Sequence, residues 1–177
     1  MDSKKYGESD VMSTKAELKK LEIGCGEKPR EGYIHFDVRK LKGVDFVGDA
    51  KKLPFENNSF EEIYSRFFLE HLPRNDAKKA LKEMLRVLSP GGRVEIIVPN
   101  LEYFCKLFLE GNEQEKEWSL NKIYGFEKYG EDHHYFGYNF ETLEKFLEEA
   151  GFEKVKKIES KEKEAQYLAA EAFKRIK

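Results

Sequence analysis

The stretch KLEIGCGEKPREGYIHFDV, residues 20–38, decides the fold. A short apolar run ends at a glycine-x-glycine turn formed by Gly24 and Gly26, and Asp37 closes the next β-rich run. Glycine has no Cβ, so its backbone can approach a bound ligand closely. The pattern therefore predicts a first strand that ends in a nucleotide-binding turn.

Two common kinds of nucleotide site do not fit this turn. A dinucleotide fingerprint needs a third glycine, where Pro29 stands, and an acid about 20 residues further on, whereas Asp37 comes too soon. There is hardly room for a helix between Gly26 and the next strand, so no helix N-terminus is offered to a pyrophosphate. No Gly-Lys-Ser/Thr follows, which excludes a P-loop.

The rest of the chain alternates short strands with helices. Helical spacing of apolar residues predicts three helices. The first covers residues 75–92 and is capped by Asn75 or Asp76, and the second covers 101–111. The third covers 139–152, is capped by Asn139 and is ended by Gly151. A final strand–turn–strand unit covers 153–174, with a charged turn at 160–164. These features predict an α/β domain with a mainly parallel sheet and one antiparallel edge strand.

Composition limits the class of protein. The 177 residues are 40% hydrophobic and carry a formal net charge of -2, which indicates one globular domain and no general polyanion binder. We interpret residues 1–17 as a flexible arm and 18–177 as a single domain with a helical insert at about 101–138. With only two cysteines, no apolar leader and no apolar run long enough for a bilayer, we expect a cytoplasmic protein without membrane partners.

Four ordered blocks resemble the class I S-adenosylmethionine-dependent methyltransferases. The blocks are LEIGCG, HFDV, VGDAKKLPFENNSFEEIYS and EMLRVLSPGG, within roughly residues 18–100. The closest resemblance is to a small subgroup of predicted methyltransferases in which the first helix after the glycine turn is nearly absent. The resemblance implies a Rossmann-like fold with a seven-stranded sheet, helices on both faces, and S-adenosylmethionine as the cofactor.

The resemblance also implies roles for individual residues. Glu22 would bond toward the amino-acid end of the cofactor, Asp37 would accept both ribose hydroxyls, and Asp49 would accept from the adenine amino group. Leu53 or a neighbour would cover the adenine, and residues 65–67 would pass under the methionine. The implied cofactor-binding set is Glu22, Gly24, Cys25, Gly26, Asp37, Val38, Asp49, Ala50, Leu53, Ser65, Arg66 and Phe67.

Three histidines are candidates for the acceptor side, because a pKa near neutrality suits a general base. They are His71, which follows the fourth predicted strand, and His133 and His134, which precede the last helix. Glu70 and His71 resemble part of an E-x-x-E-H metal pattern of some methyltransferases. Phe67 takes the place of the first Glu, so we predict no metal site; the alternative is a divalent ion held by Glu70, His71 and His133.

The preferred function at this stage is methylation of a small molecule, with oxygen of a sugar or other metabolite as the expected acceptor. The alternatives are a nucleic-acid or protein methyltransferase and a non-catalytic module that binds S-adenosylmethionine. The fourth predicted strand ends in YSRFF and lacks an Asn/Asp-Pro-Pro-aromatic motif, so no nucleic-acid partner is expected. Helix 101–111 is a possible homodimer face.

Overall fold

The computed structural model of the chain describes residues 19–126, 130, 132–159 and 165–176. The predicted arm at 1–17 and the predicted charged turn at 160–164 lie outside the described residues. The strands are β1 Lys20–Ile23, β2 Ile34–Asp37, β3 Phe46–Val47, β4 Phe60–Arg66, β5 Leu88–Pro99, β6 Glu153–Ile158 and β7 Tyr167–Phe173. The helices are a 3₁₀ turn at Leu69–His71, α1 Arg74–Val87, α2 Leu101–Glu110, α3 Glu113–Tyr124 and α4 Phe140–Ala150.

The strands form one seven-stranded sheet in the order β3-β2-β1-β4-β5-β7-β6. The first five strands in this order are parallel, and β7 runs antiparallel to both β5 and β6. This confirms the predicted mixed, mainly parallel α/β sheet. The antiparallel strand is inserted one place in from the edge, which β6 occupies. The strand order reverses on the two sides of β1, and ligands of open α/β sheets bind at such a reversal.

The main core lies between one face of the sheet and two helices. Strand residues that alternate along β4, β5 and β7 point into it, and α1 and α4 pack side by side over them. The α1 contribution is Ala77, Ala80, Leu81, Met84 and Val87, and the α4 contribution is Leu143, Phe146, Leu147 and Ala150. Of the apolar positions whose spacing predicted α1, Ala77, Leu81 and Met84 are buried in this core, whereas Leu88 belongs to β5.

The opposite face of the sheet holds a smaller cluster of buried residues, namely Tyr33, Tyr64, Ile97 and Ala169. Arg93 of β5 pairs across this face with Glu62 of β4 and Glu171 of β7, and along its own strand with Glu95. Helix α3 reaches this side through Lys122, whose ammonium lies 5.9 Å from the ring centroid of Tyr167. Cross-strand ion pairs therefore accompany the apolar packing on this face.

Helix boundaries agree with the prediction at one helix and differ at another. The Asn139 side chain accepts the Thr142 N–H and Gly151 takes a left-handed conformation, so both predicted caps of α4 are confirmed. The predicted caps of α1 are wrong. Helix α1 begins at Arg74 directly after Pro73, with no side-chain cap, and Asp76 instead pairs with Lys51 at 2.8 Å.

The loop between β3 and β4 is fastened to α1 by one guanidinium. Arg86 donates to the backbone carbonyls of Phe55 at 2.7 Å and Leu53 at 3.0 Å. Its partner Glu83 accepts from Arg86 and from the Leu53 N–H. This hydrogen-bond network fixes the backbone of residues 53–55, which follow Asp49 in the chain. It therefore helps to position one wall of the site described below.

Replacing Arg86 with Ala should lower the free energy of unfolding by roughly 1–3 kcal/mol, because carbonyls that accept from a charged donor lose that donor. Urea unfolding followed by circular dichroism measures the change. Lys79→Ala, on the exposed side of the same helix, is the matched control and should leave the urea midpoint close to that of wild type. Equal midpoints for Arg86→Ala and Lys79→Ala would contradict the fastening role.

Candidate active site

The glycine turn lies at the carboxyl ends of β1, β2 and β4, as predicted from its position after the first strand. The Gly24 N–H donates to the Phe36 carbonyl at 2.9 Å, which locks the turn onto β2. Gly24 has a φ of +73°, and a Cβ built there would lie 2.7 Å from Cβ of Phe68. Both the backbone conformation and the contact with Phe68 therefore require glycine.

Two adjoining cavities open at this edge of the sheet. The first has a volume of about 320 Å³ and the second about 630 Å³. They share Gly24, Arg39 and Phe67, so the glycine turn forms part of the wall between them. Asp37, Val38, Asp49, Ala50 and His71 line the first cavity. Glu22, Cys25, Gly26 and Arg66 line the second.

Asp37 sits at the end of β2 with only 4% of its surface exposed. One carboxylate oxygen accepts the Gly26 N–H at 2.9 Å, and the other accepts the Arg39 N–H at 2.9 Å. The Arg39 side chain adds a longer contact of 3.4 Å. Each oxygen has a second lone pair, so a carboxylate held in this way can still accept from a bound hydroxyl.

Asp49 follows β3 and lines the first cavity together with Asp37. Its side chain is 57% exposed and accepts the Lys51 N–H at 2.9 Å. Ala50 is buried beside it. Leu53 differs from the prediction, because its side chain is 4% exposed within the main core and lines neither cavity. Phe36, Phe68 and Leu72 supply the apolar wall of the first cavity instead.

The second cavity contains two buried ionisable groups of the turn region. Glu22 accepts the Arg30 N–H at 2.7 Å, and burial raises the pKa of its carboxyl above the ordinary value. Burial, with the carboxylates of Asp37 and Glu22 nearby, raises the pKa of the Cys25 thiol to about 12. The thiol is therefore neutral near pH 7 and unsuited to act as a nucleophile.

The end of β4 presents three residues in different ways. Ser65 is 1% exposed, bonds the Ile23 carbonyl at 3.1 Å and lines neither cavity, which differs from the prediction. The Arg66 guanidinium lies 4.4 Å from the ring centroid of Phe67. Phe67 has a φ of +52°, a conformation that costs a bulky residue energy and is found at functional positions. Phe67 lines both cavities, and its ring centroid lies 4.7 Å from that of Tyr167.

The three candidate histidines occupy different positions. His71 lines the first cavity, whereas His134 lines a small third cavity together with Glu70. The rings of His71 and His134 lie 4.7 Å apart, and burial lowers the pKa of both, that of His134 to about 4. His133 is exposed and lines none of the cavities, which differs from its predicted place in the acceptor pocket.

Residues 26–96 match a family model described as a methyltransferase domain. The demethylmenaquinone methyltransferase of Staphylococcus haemolyticus is 32% identical over 138 residues, which cover 67% of this chain and 52% of that protein. That of Staphylococcus aureus strain JH9 is 38% identical over 131 residues, with 63% and 48% covered. The chain thus spans about half the length of these curated relatives.

A solved methyltransferase from Thermotoga maritima, described as a possible histamine N-methyltransferase, superposes with a TM-score of 0.61 at 20% identity. The superposition covers 94% of this chain and 88% of that protein. The chain therefore has the fold of S-adenosylmethionine-dependent methyltransferases, and its residues 26–96 match a methyltransferase domain. The subgroup with a shortened first helix stays a prediction. None of the described helices is both long and apolar enough to cross a membrane.

Several residues that line the two cavities were not predicted from the sequence. The missed residues include Arg30, Arg39, Tyr64, Phe68, Phe126 and Asp132. Arg39 follows the β2 motif by one position past Val38, so a wider window around Asp37 would have found it. Asp132 carries no local signal, because it reaches the second cavity only through the fold of the segment after α3.

The contact between Gly24 and Phe68 can be tested against a glycine that has the same backbone conformation. Gly32 has a φ of +84°, and a Cβ built there meets no atom within 4 Å. Gly32→Ala should cost about 1 kcal/mol of unfolding free energy, because only the backbone is strained. Gly24→Ala should cost roughly 2–4 kcal/mol, because the overlap with Phe68 adds to the strain.

Chemical denaturation of both variants measures the difference. Equal losses would show that Phe68 yields without cost. In that case, the contact with Phe68 would not be the reason why position 24 requires glycine.

Proposed function

We propose that the chain transfers a methyl group from S-adenosylmethionine to oxygen of a small, polar acceptor. The observation that carries the proposal is the pair of adjoining cavities, with two carboxylates on the first and a lining of both cations and acids on the second. One cavity fits an adenosine, and the other has room for the methionine end and an acceptor.

The residues of the first cavity suit an adenosine. Asp37 is oriented by two backbone N–H groups, so it is set to accept from a pair of neighbouring ribose hydroxyls. Asp49 carries an exposed carboxylate that suits the adenine amino group. Phe36, Val38 and Leu72 offer apolar surface for the base. The glycine turn leaves open the space that a Cβ would restrict.

S-adenosylmethionine supplies a methyl group on a positively charged sulfur, with a good leaving group already in place. The protein's task is therefore alignment, exclusion of water and removal of a proton from an acceptor hydroxyl. Phe67, at the junction of the cavities, lies where the two reactants would meet. Its fixed backbone supports this positioning role.

The lining of the second cavity favours a polar acceptor. Lys28, Arg30, Arg39 and Arg66 bring positive charge, and Tyr64, Phe67 and Phe126 bring rings. Arg30 stacks on Tyr64 with 4.3 Å between its guanidinium carbon and the ring centroid, which holds the cation in place. Charge and rings together suit a sugar or an organic acid better than an apolar quinone of the kind that names the curated relatives.

A carboxylate of the second cavity is the group best placed to accept the proton of the acceptor hydroxyl. None of the three candidate histidines lines this cavity, whereas Glu22, Glu27 and Asp132 do. Asp132 lines this cavity and is only 8% exposed. We propose that Asp132 takes the hydroxyl proton.

Cofactor binding is tested by titration of S-adenosylhomocysteine into Asp37→Asn and Asp49→Asn in a calorimeter. Each variant should bind roughly 10- to 100-fold more weakly, because each loses a hydrogen bond to a charged acceptor. Glu61→Gln is the matched control, since Glu61 pairs with Lys19 on the exposed surface. Unchanged affinity in both aspartate variants, or no heat with wild type, would overturn the cofactor assignment.

The base is tested with the best acceptor from a panel of sugars, organic acids and a naphthoquinone. Asp132→Asn should lower kcat by about 10²–10⁴-fold, the usual contribution of a general base, while the affinity for S-adenosylhomocysteine stays unchanged. Glu31→Gln, an exposed acid that lines no cavity, is the control. A kcat equal to that of wild type would exclude Asp132, and turnover of the naphthoquinone alone would contradict the polar acceptor.

A further inference from the structure

Glu70 is a buried acid without a hydrogen-bond partner. Its residue is 2% exposed, and none of the described residues bonds either carboxylate oxygen. Burial raises the pKa of this carboxyl to about 8. A buried polar group left unpaired is costly, so it needs a physical explanation. The hydroxyl of Tyr138 is likewise buried with no hydrogen-bond partner among the described residues.

Two imidazoles lie beside Glu70, with their outer nitrogens already engaged. Nδ1 of His71 is 3.2 Å from the His133 carbonyl oxygen, and Nδ1 of His134 is 3.0 Å from the Lys122 carbonyl oxygen. A carbonyl only accepts, so each Nδ1 carries the proton and donates. In a ring whose Nδ1 carries the proton, Nε2 is the nitrogen whose lone pair can bind an ion. Histidines that bind metal ions are typically oriented in this way.

The three side chains converge on one point. One potential ligand atom from each of Glu70, His71 and His134 lies within 4.8 Å of the other two. With bonds of about 2.0–2.2 Å in a tetrahedral site, two ligand atoms of one ion lie about 3.3–3.6 Å apart. Movements of each ligand atom by less than about 1 Å, which small side-chain rotations supply, would close the difference. We propose that Glu70, His71 and His134 bind one divalent transition-metal ion.

The backbone that brings the ligands together is fixed on both sides. Glu70 and His71 belong to the 3₁₀ turn after β4, and the Glu70 carbonyl accepts the Tyr135 N–H at 2.8 Å. The His134 N–H donates to the Tyr124 carbonyl at 2.9 Å. A site whose ligands are held before the ion arrives loses little conformational entropy on binding.

The charge near Glu70 also favours a cation. The positive charge of Lys122 only partly offsets the effect of burial on Glu70, and its ammonium lies against the rings of Trp118 and Phe126, at 4.7 and 5.1 Å from their centroids. It makes no hydrogen bond to the Glu70 carboxylate. A divalent ion would supply the missing counter-charge at the carboxylate itself. Two imidazoles and one carboxylate suit Zn²⁺, Co²⁺ and their neighbours rather than Mg²⁺ or Ca²⁺.

The third ligand differs from the alternative weighed from the sequence. His133 was the expected partner of Glu70 and His71, but only its backbone carbonyl takes part, by accepting from His71. His71 lines the first cavity, so an ion held here would lie at the wall of the proposed cofactor site. Binding of the ion does not depend on which acceptor is methylated.

The test is calorimetric titration of Zn²⁺ into tag-free protein that has been stripped with a chelator and dialysed at pH 7.5. Wild type should bind one ion per chain with a Kd on the order of 1 µM or tighter. Glu70→Gln and His134→Gln should each weaken binding by at least about 100-fold, since each removes a direct ligand. His133→Gln, one residue away and exposed, should bind as wild type does.

A separate measurement distinguishes lost binding from lost folding. Metal-free Glu70→Gln should unfold cooperatively at or above the wild-type temperature, because the variant no longer buries an unpaired acid. No binding by wild type at 100 µM Zn²⁺ would overturn the proposal. So would equal binding by wild type and Glu70→Gln, which would indicate a surface site. Titration of S-adenosylhomocysteine into the metal-free protein tests the proposed function separately.

Discussion

The buried carboxylate of Asp37 joins the two halves of the site. One oxygen is held by the glycine turn that follows β1 and the other by the backbone that follows β2. These two strand ends meet only because β1 and β2 are parallel neighbours in register, with Ile23 opposite Phe36. The wall between the cavities therefore depends on one acid at a strand end. Its hydrogen bonds cost little in entropy, because the sheet has already fixed both backbones.

The short connection between β1 and β2 leaves room for the second cavity. Residues 24–33 form turns and no helix, so side chains wall this cavity. Arg30 and Tyr64 supply part of that wall, and Arg30 is placed by the bond from its N–H to Glu22. A helix at this point would offer backbone N–H groups to an anion. Here guanidinium groups bring the positive charge, which suits an acceptor that is itself polar.

The sequence predicted what depends on local pattern. The glycine turn, the acids at the ends of β2 and β3, and the caps of α4 follow from residues within a few positions of one another. The start of α1 was not predicted correctly, because Asp76 forms an ion pair with Lys51 instead of capping the helix. Lys51 is distant in the chain, so local sequence does not reveal this contact. Leu53 and Ser65 turn into the core because of packing by α1 and β1, which motif spacing does not reveal. Loop residues carry no periodicity, so nothing local decided which of His133 and His134 would face inward.

The position of His134 illustrates how tertiary contacts select one side chain in a loop. Gly125 has a φ of +95°, and a Cβ there would lie 2.0 Å from the Asp132 carbonyl oxygen, so the chain after α3 must fold back closely at this glycine. That return allows the His134 N–H to bond Tyr124 and directs its ring toward Glu70. The same return brings Asp132 to the second cavity. One glycine thus places a carboxylate at the proposed methyl-transfer site and an imidazole beside a buried acid. Both side chains are polar and at least partly buried, and apolar residues at these positions would give the folded protein more stability.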